Sequence, residues 1–218
     1  MPIPFMIFSS VVNPRSISHL ATSRSEPSAA ARHEPSRLPI PSTSLVGRQR
    51  EVAAACQHFL ASDVRLLTFT GPAGTGKTRL ALAVAAGLQD TFADGIHFVD
   101  LSPIRDPALV ARSISQILGI RDAGDQPLAE TLRLYLETRQ LALVLDNFEQ
   151  VVAAAGLVAD LLAASPALKI LATSREPLHL SWEHEWPVLP LALPPTATTR
   201  PIRSAKGCLV SLVFAAPT

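Results

Sequence analysis

Short apolar runs alternate with amphipathic stretches through the middle of the chain. Arg65 to Thr70, Ile96 to Val99, Leu141 to Leu145 and Leu168 to Ala172 are almost continuously apolar and only four to six residues long. Runs of that length and texture read as strands buried on both faces. Between them, apolar residues recur at helical spacing. Val52, Cys56, Phe59 and Leu60 do so within 47–61, and Leu80, Val84 and Leu88 within 77–88. The same spacing places Val110, Ile114 and Ile117 on one buried side, then Leu128, Leu132 and Tyr135, and then Val151, Ala155, Val158 and Leu162. Asp106 suits a helix cap, Pro107 and Pro127 suit helix openings, and Gly119 suits a helix end. Strands alternating with helices predict an α/β fold: a three-layer α/β/α sandwich with a mainly parallel sheet and right-handed crossovers. Leu178 to Trp186 alternates with period two and reads as a strand or extended edge. Trp182, His184 and Trp186 there are expected to pack rather than to bind a ligand, and His58 and His97 show no partner pattern.

The flanks have a different texture. Residues 1–37 are rich in Ser, Pro and Arg without periodicity, so a disordered N-terminal segment is expected. The shortage of acids over 9–37 is shared with organelle transit peptides, but a disordered spacer accounts for it better. Residues 38–195 carry the folded pattern, and 196–218 are expected to be an unstructured or aberrant tail. Of 218 residues, 48% are hydrophobic, enough for one α/β core. The net charge of +1 argues against a broad electrostatic footprint for nucleic acid. Cys56 and Cys208 are the two cysteines and have no metal-like spacing, which fits a reduced, cytoplasmic setting. No membrane partner is expected. The most apolar stretch, Val151 to Ala164, is too short to span a bilayer and contains Asp160. No positive charge precedes the apolar start, and two prolines break it, so it does not read as a secretory signal.

The strongest chemical signal is Gly71-Pro72-Ala73-Gly74-Thr75-Gly76-Lys77-Thr78, a G-x-x-x-x-G-K-T segment between a predicted strand and a predicted helix. A triphosphate needs donors that approach closely, and glycines let the backbone turn its N–H groups inward around it. The following helix adds the partial positive charge of its N-terminus. Lys77 is placed to reach the outer phosphates and the Thr78 hydroxyl to coordinate Mg²⁺, with Arg79 beside them among the nucleotide-contacting positions.

Three further residues fall at the ends of predicted strands. Leu141 to Leu145 delivers the Asp146 carboxylate to the edge of the sheet where ligands bind in such folds. There it can hold the metal opposite Thr78, although an aspartate ending a strand can also serve as a turn or helix cap. Glu149 is the nearest acid able to orient an attacking water, and equally reads as a solvated first-turn acid. The strand ending in Thr173-Ser174-Arg175 offers a hydroxyl for water or phosphate and a guanidinium for a terminal phosphate. The plain alternative for Arg175 is a surface cation.

Four segments together resemble the STAND class of P-loop ATPases, close to the NB-ARC group and to ATPase modules of large bacterial transcriptional regulators. They are Leu45-Val46-Gly47-Arg48-Gln49-Arg50-Glu51, Gly71 to Thr78, Leu143 to Gln150, and Thr173-Ser174-Arg175-Glu176-Pro177. The resemblance covers about residues 38–195 and implies an ATP/ADP-binding, slowly hydrolysing switch. By position it assigns the adenine and ribose surroundings to Val46, Gly47 and Arg48. It assigns Walker A to Lys77 and Thr78, Walker B to Asp146, and the sensor role to Arg175. Asn147 stands where many relatives have a second acid, which implies weak hydrolysis. The family's helical, winged-helix, sensor and effector parts are not recognisable after residue 195, so the chain reads as truncated or frameshifted. Self-association and a regulated effector are the partners the resemblance implies. A motor-type AAA+ ATPase and a non-catalytic nucleotide-binding fragment are the competing readings.

Overall fold

The computed structural model describes residues 38–40, 43, 45–121, 124 and 126–191. Each predicted apolar run forms a strand: β1 Leu66–Thr70, β2 Ile96–Asp100, β3 Ala142–Asp146 and β4 Lys169–Thr173. The alternating segment supplies β5, Glu183–Pro187, at one edge. All pair in parallel in the order β2-β3-β4-β1-β5. Among the described residues, five α-helices connect and flank them: α1 Gln49–Leu60, α2 Lys77–Gly87, α3 Leu109–Ile117, α4 Leu128–Glu137 and α5 Ala155–Ala164.

Period-two alternation sorts the strand residues into two cores, one on each face of the sheet. Leu66, Leu143, Leu145, Ile170 and Ala172 pack with Val110, Ile114, Leu132, Leu136, Val158 and Leu162 from α3, α4 and α5. Leu67, Phe69, Ala142, Val144 and Leu171 pack with Ala55 and Phe59 of α1 and with Leu80, Ala81, Val84 and Ala85 of α2. The result is the three-layer α/β/α sandwich that the sequence predicts. Register then aligns the polar strand ends: Asp100 faces Asp146, Leu145 faces Ala172, and Phe69 faces Thr173. Because Val144 and Leu171 face α2, Asp146 and Thr173, two residues on, lean to the same side.

Several boundaries and faces differ from expectation. The first helix begins at Gln49 rather than Gly47, and Leu60 is exposed because it sits one residue, about 100° of helix rotation, past buried Phe59. Ile117 is exposed as well. The inward stripe of α3 runs through Val110, Ile114 and Leu118 in steps of four, so Leu118 takes the place assigned to Ile117. In α4, Leu136 rather than Tyr135 completes the fully buried stripe. Asp106 does accept a backbone N–H, from Ala108 at 3.0 Å, but the α-helix proper starts only at Leu109. Trp186 packs against the α1 side, and the His58 ring lies 5.7 Å from it and 5.4 Å from His184. The expectations for 1–37, 196–218 and Cys208 fall outside the described residues. Among the described residues, no helix is long and apolar enough to cross a membrane.

Candidate functional site

The chain leaves β1 at Thr70 and turns through Gly71–Gly76 into α2. Three turns here need backbone angles that L side chains resist: φ is +141° at Gly71, +81° at Gly74 and +88° at Gly76. A Cβ on Gly74 or Gly76 would meet nothing within 4 Å, whereas one on Gly71 would lie 2.8 Å from the Val188 carbonyl oxygen. The loop therefore keeps open space at its crown and no spare room at its base. Gly76 occupies the N-cap position of α2, so the first amides of that helix have no partner within it and face the loop. Thr75 closes the loop internally, its hydroxyl donating to the Pro72 carbonyl at 3.0 Å.

Lys77 is buried, its ammonium donating to the carbonyls of Gly71 at 2.7 Å and Pro72 at 3.0 Å. Burial pushes its pKa down. The nearby Glu149 and Asp146 carboxylates oppose that shift, and Arg175 adds to it. An anion placed in the loop would favour the charged form, as a phosphate site requires.

Thr78, on the first turn of α2, donates to Asp146 Oδ1 at 2.8 Å, with Oδ2 at 3.1 Å. Strand β4 lies between β1 and β3, and from it Thr173 donates to Asp146 Oδ1 at 2.6 Å. Thr173 in turn accepts the Asn147 N–H at 3.0 Å. Burial raises the Asp146 pKa, the two hydroxyls lower it, and the Asp100 and Glu149 carboxylates raise it further. A buried carboxylate beside a hydroxyl is a hard-oxygen donor set. It fits Mg²⁺, which takes one or two protein ligands and completes its shell with water and phosphate oxygens. Among the described residues no cluster of three or more His, Cys, Asp or Glu is arranged to hold a metal.

Glu149 sits in the 3₁₀ turn Phe148–Gln150 that follows Asn147, and Arg175 lies just beyond β4. The two meet: Arg175 Nε donates to Glu149 Oε1 at 3.2 Å, while Glu149 Oε2 is buried without a hydrogen-bond partner. The structure thus brings Lys77, Thr78, Asp146, Glu149, Thr173 and Arg175 to one end of the sheet. Thr173 donates its single proton to Asp146 and is 1% exposed, which orients the carboxylate.

The segment before α1 is divided. Val46 is 72% exposed and Gly47 adopts φ +79°, but the Arg48 side chain is buried and spent on protein groups. It donates to the Thr75 carbonyl at 2.9 Å, to the Leu189 carbonyl at 2.6 Å and to Glu51 at 2.9 Å. Arg79 donates to the Thr43 carbonyl at 2.7 Å. Sequence reasoning did not find Val188 and Leu189, which lie against Gly71 and Arg48; nothing in their local pattern signals that contact. It also treated Asn147 only as a missing acid. Position 147 has φ +59°, a left-handed turn that asparagine tolerates better than most residues, and the Asn147 amide donates to Asp146 Oδ2 at 3.3 Å.

Comparison with known proteins agrees with this architecture. Over 130 residues, 59% of this chain, the sequence is 41% identical to a Mycobacterium tuberculosis (H37Rv) protein named "Putative HTH-type transcriptional regulator Rv0890c". The match spans 14% of that protein. It is 38% identical over 152 residues to the Mycobacterium tuberculosis "Uncharacterized protein Rv0894", covering 69% of this chain and 38% of that one. The chain therefore spans well under half the length of these relatives. Among solved structures it is similar to the Aeropyrum pernix ORC2 protein in its ADPNP–ADP complexes, with 19% identity and a TM-score of 0.50. That likeness covers 68% of this chain and 50% of that chain, and it shows the fold. A model of the AAA domain matches residues 61–178, more than half the sequence, and this chain belongs to the AAA domain family of P-loop ATPases.

Proposed function

We propose that residues 38–195 form a Mg²⁺–ATP/ADP-binding switch module of the STAND type, close to NB-ARC domains, from a cytoplasmic transcription-regulatory protein. The observation that carries this reading is the juxtaposition of the open glycine loop with the Thr78–Asp146–Thr173 hydroxyl–carboxylate cluster. The loop amides and Lys77 would hold the phosphates. Thr78 and Asp146 would hold Mg²⁺, whose contribution is to neutralise phosphate charge. Thr173 fixes the direction of the Asp146 carboxylate. Two features support slow hydrolysis over continuous turnover. Position 147 carries an amide, not a second acid, and Glu149, the candidate water-orienting base, is tied to Arg175. The names of the regulator-like relatives support a role in transcription, in which effector, sensor or self-association partners respond to nucleotide state.

Nucleotide binding and phosphate release, measured on the protein and on Lys77→Ala and Glu149→Gln variants, test the proposal. The expected pattern is tight ADP and ATP binding, lost in Lys77→Ala, with slow phosphate release throughout. Fast turnover abolished by Glu149→Gln would replace the switch with a motor-type ATPase. Binding with no detectable release in any variant would reduce the module to a non-catalytic binder.

A further inference from the structure

The buried guanidinium of Arg48 touches three parts of the molecule, two of them remote from it in sequence. Its Nη2 donates to the carbonyl of Thr75, at the crown of the glycine loop, and to the carbonyl of Leu189, in the segment that leaves β5. Its Nη1 pairs with Glu51 on the first turn of α1. The residue is 4% exposed, so these contacts occur where water competes little for the donors. A second set of contacts joins the same partners. The Val188 N–H donates to Thr70 at 2.7 Å, the Val188 carbonyl lies against Gly71, and Leu191 Cδ2 lies 3.9 Å from where a Cβ on Gly47 would be.

From this geometry we infer that Arg48 is a positioning residue that couples the phosphate loop to the segment leaving β5, and does not bind the base. The inference rests on the nucleotide-binding reading of the site. In a trans peptide the C=O and N–H of one unit point in opposite directions, and no cis peptide occurs among the described residues. By holding the Thr75 carbonyl on one side, Arg48 fixes the orientation of the Gly76 N–H, one of the loop amides that the nucleotide-binding reading assigns to phosphate. The same Nη2 holds Leu189, so a displacement of residues 188–191 pulls on the peptide that presents this donor. By the reciprocity of linked equilibria, phosphate bound in the loop restrains residues 188–191 in return. The chain beyond β5 is thereby given a means of responding to what occupies the loop.

The test compares ADP with adenosine for the wild-type chain, Arg48→Gln and Arg48→Lys. Loss of one charge-assisted hydrogen bond that orients a phosphate donor is expected to weaken ADP binding on the order of tenfold or more. Adenosine binding should stay within about twofold, because the base is not engaged by this side chain. Lysine keeps the charge but cannot span two carbonyls and a carboxylate with one planar fork, so Arg48→Lys is expected to behave like Arg48→Gln. In hydrogen exchange, ADP should slow the Val188, Leu189 and Leu191 amides in the wild type and not in either variant. Equal weakening of ADP and adenosine, wild-type behaviour of Arg48→Lys, or intact ADP protection of 188–191 in the variants would each overturn the inference. If the wild type binds no nucleotide, the proposed function fails separately, and the tie is read without ligand. Faster exchange at Gly76 and Leu189 together in Arg48→Lys would uphold it, and unchanged exchange would overturn it.

Discussion

Replacing Gly71 with alanine is expected to cost more than any other single methyl group added to the loop. Two penalties coincide there. At φ +141° an L residue sits in a region populated almost only by glycine, a strain of about 1–3 kcal/mol. The new methyl would also lie 2.8 Å from the Val188 carbonyl oxygen, well inside van der Waals contact. That oxygen cannot retreat cheaply, because the Val188 N–H is bonded to Thr70 at 2.7 Å and the next carbonyl, that of Leu189, is held by Arg48 at 2.6 Å. Overpacking against fixed backbone adds about 1–3 kcal/mol, for a total of about 2–6 kcal/mol. Gly74→Ala is the internal control. Its φ of +81° carries the left-handed penalty of about 1–2 kcal/mol, but its methyl meets open space. With a urea m-value of about 2 kcal/mol/M, the midpoint should fall by about 1–3 M for Gly71→Ala and by about 0.5–1 M for Gly74→Ala, at unchanged m. Equal midpoints for the two variants would show that the strap over Gly71 yields freely. The account of a rigid loop base would then be wrong.

Two further outcomes follow from the same contacts. Thr173→Val keeps the shape but removes the donor to Asp146 Oδ1 and the acceptor of the Asn147 N–H. It should therefore destabilise by about 1–3 kcal/mol in thermal unfolding, whereas Thr173→Ser keeps both bonds and should lose less than about 1 kcal/mol. Identical melting of the two variants would remove the structural role of that hydroxyl. Burial pushes the Cys56 thiol pKa up, so in a Cys208→Ser background its alkylation at neutral pH should be slower than that of a free thiol. Its rate should also climb over a higher pH range, and a rate profile matching free cysteine would contradict the burial.

The strands, the glycine loop and the polar residues at the strand ends were legible because each has a short-range signature. An apolar run, a glycine spacing, and an aspartate or threonine one residue past a run are all visible without knowledge of the partner. Errors arose where a choice depended on packing between elements. Helical spacing alone does not decide whether Ile117 or Leu118 completes the stripe after Ile114, since i+3 and i+4 both lie near one face, and the neighbouring helix α4 decides it. Thr173 was readable as a strand-end hydroxyl, but its commitment to Asp146 depends on β4 lying between β1 and β3. Strand order is not written in the hydrophobic pattern. Arg48 was legible only through the family resemblance, which gave it a place beside the base. Two of its hydrogen-bond partners in the structure, Thr75 and Leu189, are 27 and 141 residues away in sequence.

The parallel register has a consequence for how the chain tolerates length changes. Asp100, Asp146, Thr173 and Phe69 stand in one row across neighbouring strands; a 2.6 Å hydrogen bond from Thr173 to Asp146 ties the row together, and contacts of 2.8 and 3.1 Å from Thr78 link it to α2. One residue inserted within β3 or β4 would advance its terminal side chain by about 3.3 Å and flip it to the opposite face. Either displacement exceeds what those bonds can bridge. Insertions in the connections at the other end of the sheet, such as the turn between Thr138 and Leu141, leave the row in place. Length variation among functional descendants of this sequence should therefore concentrate at one end of the sheet and be nearly excluded from the other.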